Sequence, residues 1–391
     1  MGTLSTEKVS DQLVEYIERE EYKGYDPYDT LNSYLPFGII GKWGKPIAIQ
    51  IQKRNPINLR PLMGIKKGYN PKAMGLLLQA YCLRFKRTQN PDCLERADWL
   101  FDWLINNYSK GFSGYCWGYN FDWASSVKLL PAYSPTIVVS GFIAKGIRAY
   151  YELTSKPKAL EVLLSIGEFM DKDLAKSEDE NGICISYSTV EPDCCYNASM
   201  LGAEHFAFLY TQTHEKKYKE LAISCSRFVT SKQLDSGCWN YSINLETRME
   251  RKQIDFHQGY VLDSLSYVCH YIPDVASEFK TAIKKGTDFY AKMQFNHEGR
   301  SYYRIPSQWP VEIHNQAQGI ISFSRWGKTK ERYKLTQSIV DYSVKNMRSS
   351  KGFFYYKKYP WITIKIPFIR WSQAWMFLAL EEFLHNKESE L

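Results

Sequence analysis

The sequence predicts an all-α fold, an (α/α)6 toroid of six helical hairpins with short β segments in the loops at its mouth. Three observations predict it. A unit of aromatic loop, small-residue helix, turn and charged helix recurs about every 60 residues, the length of two helices and their connections. Six small-residue helices can be counted. Six amphipathic helices are available to cover them, one of which sits at the N-terminus.

The small-residue helices begin near Asn70, Ser134, Tyr196, Ile254, Val311 and Ile369, at intervals of 64, 62, 58, 57 and 58 residues. The charged partners run over 91–108, 156–174, 215–231, 273–293 and 328–347. Their apolar residues, such as Trp99, Trp103 and Leu104, recur at helical spacing with charge on the other face. The sixth partner is segment 4–20, with Leu13, Val14 and Ile17 on one face. Packed beside the last inner helix it closes the ring, which removes the exposed ends of an open solenoid. The whole chain, 1–391, is therefore read as one toroid domain. Segment 24–67 departs from the repeat, is punctuated by Pro and Asn, and is read as an irregular arm over the mouth or rim.

Composition narrows the function classes. Aromatics make up 15% of the chain, with 29 Tyr and 11 Trp, which suits a wet cleft with aromatic walls that stack sugar rings. The formal charge of +8 is spread among acids along the chain. It reads as a solvated surface, with a basic cleft for an anionic glycan as the functional alternative. No nucleic-acid motif and no long basic run is found, so nucleic acid is not expected as a partner. No stretch of 18 apolar residues exists, so no membrane span is expected. The nine Cys form no CxxC, and no apolar leader is visible at the N-terminus. A reducing cytoplasm with free thiols is the simplest expectation.

The loops at 111–123, 182–188, 237–242, 298–306 and 352–360 each lead into an inner helix. They must share one face of the ring, together with the positive ends of the inner helices. The site is expected at that mouth. Two similar strings open consecutive inner helices there. Asp255 precedes His257 and Gln258, and Glu312 precedes His314 and Asn315, by the same two-residue offset. His257 and His314 are the candidates for proton transfer. Asp255 and Glu312 either orient them or serve as acid and base. Asp122, in the longest mouth loop, is a further candidate acid. Trp117, Tyr119, Tyr133, Tyr260 and Trp371 are expected to line a sugar site, Asn315 to bond the substrate, and Arg370 to hold an anionic group. The structural alternative is that the carboxylates cap helices and the histidines join a polar network. Two His and two carboxylates also match a divalent metal, but the reading assigns neither a metal nor a redox cofactor. Glu204-His205 reads as a polar pair in the core. Walker A, GxGxxG, GxSxG and HExxH strings are absent, as are DxDD and GxxCHG-like strings.

The six hairpins and Gly-aromatic loops resemble the six-hairpin toroids of carbohydrate-active proteins over about residues 70–391. That group includes N-acylglucosamine 2-epimerase-like enzymes, unsaturated glucuronyl hydrolases, and glucuronyl C5-epimerases. The strings YDPYD (25–29), DFHQGYVLDSL (255–265) and EIHNQAQ (312–318) most resemble bacterial and archaeal polysaccharide-biosynthesis proteins. The 2-epimerase string Arg-Asn-x-His is absent here, and His314-Asn315 stands in reverse order. The acidic string of the glucuronyl hydrolases is also absent. The resemblance implies a carbohydrate-active enzyme working on a sugar or oligosaccharide, anionic or neutral, by hydrolysis, elimination or epimerisation. A non-catalytic glycan-binding or scaffold protein and an isoprenoid-handling cyclase-like toroid are the alternatives.

Overall fold

In the computed structural model, residues 5–124, 129–326 and 329–388 are described. Thirteen α-helices occur among them. They are α1 (Thr6–Arg19), α2 (Gly44–Arg54), α3 (Pro71–Thr88), α4 (Pro91–Asn106), α5 (Ile137–Thr154), α6 (Pro157–Lys172) and α7 (Tyr196–Thr213). The series continues with α8 (Lys216–Ser231), α9 (His257–Tyr271), α10 (Ala276–Met293), α11 (Ile313–Trp326), α12 (Lys330–Met347) and α13 (Trp375–Glu388). Helices α3, α5, α7, α9, α11 and α13 each pack on the next, and α13 packs back on α3, so the inner ring is closed. α4, α6, α8, α10, α12 and α1 cover them in that order. The architecture is an (α/α)6 toroid.

Local chemistry explains the hairpins. Asn70 and Thr136 cap α3 and α5 by accepting the N–H groups of Ala73 and Val139. α3, α5 and α7 each end on a left-handed residue, namely Gln89, Ser155 and His214. Pro91 and Pro157 then start the outer helix at a position where a missing N–H costs nothing. The inner helices are buried nearly all round, while the outer ones bury a single stripe.

One glycine position ties each repeat to the next. Gly182, Gly237, Gly299 and Gly352 all have positive φ. A Cβ on them would fall 2.2 Å from the Ser224 carbonyl oxygen on α8, 2.5 Å from that of Lys285 on α10, 2.2 Å from Ser338 on α12 and 2.4 Å from Gln12 on α1. Each loop thus lies against the backbone of the following outer helix, at a separation only glycine allows.

The mouth loops carry short antiparallel strands: β1 (Trp123–Ala124) pairs with β2 (Leu129–Leu130), and β3 (Lys176–Asp179) with β4 (Gly182–Ile185). β5 (Cys194–Cys195), β6 (Ser242–Ile243) and β7 (Glu250–Arg251) form one three-stranded sheet. β8 (Val311–Glu312), β9 (Lys357–Lys358) and β10 (Thr363–Ile364) form another, in the order β10-β9-β8. Segment 24–67 is not wholly irregular, because it contains α2 and three 3-10 turns. YDPYD fastens it at both ends. Asp29 pairs with the buried Arg60 at 2.7 Å, and Asp26 forms a two-pronged pair with Arg370 at 2.6 and 2.7 Å. Burial pushes Asp29 up to about 6 despite Arg60 beside it.

Midway along the inner helices Glu204 bonds Lys145, Arg148 and Ser264. His205 instead meets the Leu163 carbonyl at 2.9 Å. The two therefore do not pair with each other as the sequence suggested; adjacent residues on a helix point in different directions. All nine cysteines are free and eight are buried. Among the described residues no helix is long and apolar enough to cross a membrane.

Candidate active site

The mouth loops, the inner-helix N-termini and α2 surround a cleft of about 1010 Å³. Nine of the twelve candidate residues line it: Tyr119, Asp255, His257, Tyr260, Glu312, His314, Asn315, Arg370 and Trp371. Three stand outside its lining. Trp117 is fully buried, and its indole N–H donates to the Leu104 carbonyl at 3.0 Å, so it belongs to the core between α4 and the loop. Asp122 accepts the Ala132 N–H at 2.8 Å across the loop. Tyr133 has a left-handed backbone and is 57% exposed to solvent.

Asp255 and His257 form a dyad. The residues just before α9 turn back on its first turn, so Asp255 Oδ1 meets both the His257 backbone N–H, at 3.2 Å, and Nδ1, at 2.5 Å. Gln253 donates to the other oxygen, and Arg304 lies 3.5 Å from it. Burial alone would raise this carboxyl. His257 and Arg304 outweigh it and hold Asp255 below the usual carboxylate range. The carboxylate thus holds the imidazole by Nδ1 and leaves Nε2 as the ring nitrogen without a protein partner. His257 makes no other side-chain hydrogen bond among the described residues. Asn315 keeps the dyad in place by accepting the Phe256 N–H while donating to the Tyr302 and Tyr303 carbonyls.

His314 sits beyond Phe256, whose ring stacks on His257 at 4.2 Å and on His314 at 4.1 Å. His314 Nε2 lies 2.6 Å from the Tyr260 hydroxyl. Burial, helped by Lys72, His257 and Arg370, holds this imidazole well below its ordinary range, so it is neutral. Burial also holds the Tyr260 phenol well above its range. The hydroxyl donates, Nε2 accepts, and the ring proton stays on Nδ1, which is buried without a partner. A buried unpaired donor is costly and commonly marks a functional site.

Glu312 is committed elsewhere. It stands in β8 directly opposite Lys357 in β9, and the two side chains pair at 2.9 Å, both buried. Burial works against the Lys357 ammonium, but Glu312 outweighs it and holds the lysine above its usual range. The Trp371 indole N–H donates to the other Glu312 oxygen. Arg370 and Trp371 stand on a π-helical turn, Ile369–Ala374, that precedes α13. Such turns are uncommon and frequent at functional sites. Arg370 lies over the Tyr119 ring at 4.6 Å while both its prongs hold Asp26.

Sequence reasoning missed two lysines. Lys72, in the first turn of α3, is buried in the cleft lining with its ammonium 4.0 Å from the centre of the Phe142 ring and 5.3 Å from that of Trp375. It has no hydrogen bond or ion pair among the described residues. Burial first, then Arg370, holds it well below the ordinary lysine range. Its signal was available: a lysine at a helix N-terminus opposes the helix dipole. Lys53 of α2 bonds the Tyr28 hydroxyl and is pushed down to about 8 by burial and by Lys357, against Glu312. Seven Lys and Arg line the cleft, against three carboxylates. Four of the seven, Lys53, Arg54, Lys72 and Arg251, lack a carboxylate partner among the described residues. Among the same residues no cluster of three or more His, Cys, Asp and Glu is placed to hold a metal.

No protein-family model matches the chain, and no curated protein sequence matches it. Solved structures do. The chain is similar to the Lin0763 protein from Listeria innocua, with TM-score 0.66, 14% identity and 99% of each chain covered. It is similar to cellobiose 2-epimerase from Bacillus thermoamylovorans, with TM-score 0.62, 14% identity, and 80% of this chain and 88% of that one covered. It is also similar to an unsaturated glucuronyl hydrolase from Streptococcus agalactiae, with TM-score 0.59, 14% identity, and coverages of 98% and 93%. At these identities the likeness is one of fold, the (α/α)6 toroid.

Proposed function

We propose that this chain is a sugar-processing enzyme that moves a proton at a carbon beside a carbonyl or carboxyl group, as epimerases, isomerases and lyases do. The observation that carries the reading is the Asp255–His257 dyad, which presents a free imidazole nitrogen in an aromatic cleft. His257 Nε2 takes the C–H proton, and the electron pair moves into the adjacent carbonyl or carboxyl. The unpartnered cations in the cleft stabilise the oxyanion that forms. Tyr260, backed by neutral His314, is the second proton-transfer group. Epimerisation returns a proton to the same carbon, whereas elimination expels the group on the next one.

Hydrolysis has less support. A glycosidase places two carboxyls across the bond, one of them protonated. Here Asp255 is held by His257, Glu312 is ion-paired to Lys357, and Asp122 lies outside the cleft lining. The excess of cations favours an anionic sugar such as a uronate. A role in polysaccharide synthesis is consistent with these features and rests on the sequence resemblance alone.

The test is solvent exchange. Uronate oligosaccharides and neutral aldoses are incubated with the protein in D2O and followed by proton NMR. Deuterium should enter the carbon beside the carbonyl or carboxyl with wild type and fail to enter with His257→Ala. New reducing ends without exchange would instead mean hydrolysis. Saturable binding with neither reaction would mean a glycan-binding protein.

A further inference from the structure

Besides the cleft, the arm itself has an unexplained surface. Of the large apolar side chains more than three-fifths exposed, all but Met249 sit on two segments among the described residues. Tyr34, Ile39, Ile51, Ile57 and Leu62 lie on the arm, and Trp361 lies at the tip of the β9–β10 hairpin. On α2 the pattern is helical. Ile47 and Ile51 stand one turn apart on its solvent face, with the half-exposed Trp43 just before its first turn, while Ile49 and Gln52 are buried on the other face. Single exposed apolar residues are unremarkable, but a set gathered at one rim marks an interaction surface. Arm and hairpin border the same cleft, which Trp43 of the arm and Tyr359 of the hairpin both line.

Charge says what covers it. From Thr30 to Pro91 the chain has no Asp or Glu, and Lys42, Lys45, Arg54, Lys66 and Lys67 reach the surface of the arm, the last beside Glu20. From Tyr342 to Leu380 there is again no carboxylate, and Lys358 and Lys365 flank the hairpin tip. The whole chain holds 42 acids to 50 bases. The two segments that expose apolar side chains are thus the two longest runs of the chain without a carboxylate. A second copy of the chain would bring the same basic face against itself in a symmetric contact. A helix with Ile and Trp on one face and Lys and Arg beside it suits the boundary between acyl chains and anionic headgroups.

We propose that the arm and the β9–β10 tip dock the mouth of the ring onto an anionic lipid bilayer. α2 lies in the interface plane, with Trp43, Ile47 and Ile51 toward the acyl chains and the lysines among the headgroups. Trp361 is a second anchor. The contact is peripheral and leaves the ring in water. It does not depend on which reaction the cleft performs.

The test is co-sedimentation of the full chain with vesicles of phosphatidylcholine alone and of phosphatidylcholine with about a third phosphatidylglycerol. Light scattering reads its oligomeric state in parallel. Wild type should sediment with the anionic vesicles, weaken as salt rises, and stay in solution with the neutral ones. Ile47→Glu/Ile51→Glu and Trp361→Glu should each bind about tenfold more weakly or worse, with melting temperatures unchanged because these side chains face solvent. The inference is overturned by folded wild type that ignores anionic vesicles. It is equally overturned by variants that bind as wild type does. A wild-type dimer that Ile47→Glu/Ile51→Glu dissociates, without vesicle binding, would make a second copy the occupant instead. Retention of wild type by an acidic protein but not by vesicles would make a protein the partner.

Discussion

Asp255-Phe256-His257 and Glu312-Ile313-His314 open consecutive inner helices with the same spacing, and the fold wires them differently. Asp255 lies in a turn, and its short side chain folds back onto its own histidine. Glu312 lies in a strand, where its nearest neighbour is the residue opposite it, Lys357. His314, deprived of a carboxylate, takes the Tyr260 hydroxyl instead. One string makes a carboxylate–imidazole dyad and the other makes an ion pair beside a neutral imidazole. Spacing in sequence does not set the role; the backbone conformation that carries the carboxylate does.

The sharpest way to break that comparison is to neutralise each carboxylate. Asp255→Asn removes the charge that fixes the His257 tautomer, and turnover should fall on the order of 10²–10⁴-fold. Binding of substrate should change far less, so kcat carries the loss. Equal losses from Asp255→Asn and Glu312→Gln would show that the two strings share one role after all. Glu312→Gln should act mainly on stability. It strands the buried Lys357 ammonium, and breaking a buried pair costs roughly 3–5 kcal/mol. Denaturant titration reads this, and Glu312→Gln/Lys357→Met should recover most of it.

These contrasts show what was legible in the sequence. The toroid was legible because every repeat imposes the same constraint. Gly182, Gly237, Gly299 and Gly352 each meet the backbone of the following outer helix, so the chain repeats its glycine-aromatic loop at nearly constant spacing. The two histidine strings were legible for the same reason, since they recur at the start of neighbouring repeats. Partnerships between distant segments were not. Asp26 and Arg370 are separated by 344 residues, and nothing local marks them as a pair. Arg370 therefore read as an open anion site, whereas both its prongs are held. Trp117 read as a sugar platform because loop aromatics near a mouth have two places to go. Its indole N–H finds a carbonyl inside the core.

Lys72 is the next largest effect. It is a buried cation with no ion pair among the described residues, facing the neutral His314 across the same aromatic floor. Lys72→Met keeps the shape and removes the charge, so it should stabilise the fold at neutral pH by roughly 1 kcal/mol or more while lowering activity. The sign of the pH effect follows from linkage. The folded pKa lies below the unfolded value, so between the two the unfolded chain holds the extra proton and wild-type stability rises with pH. The difference between Lys72→Met and wild type should therefore shrink as pH climbs toward about 10.4. Thermal melts across pH measure it. A variant that is less stable than wild type throughout would show that the ammonium is held by favourable contacts.

The smallest expected effect concerns Lys53, the cation that α2 brings to the cleft. Its pKa of about 8 means that it is charged at neutral pH and loses its charge just above. An anionic sugar bound near it should hold on well below pH 8 and weaken as pH rises through that value. A bound anion favours the protonated form, so the midpoint in the complex should lie above that of the free protein. The charges that shift Lys53 most are those of Lys357 and Glu312, with Arg304, the neighbour of Asp255, acting more weakly. The pH dependence should therefore appear in binding and leave the His257-dependent step alone. Calorimetric titration of a uronate oligosaccharide at pH 7 and 9 separates these cases. Lys53→Gln should weaken binding severalfold at pH 7 and flatten the profile, whereas the wild-type profile surviving in Lys53→Gln would move the anion site toward Arg251 and Lys72.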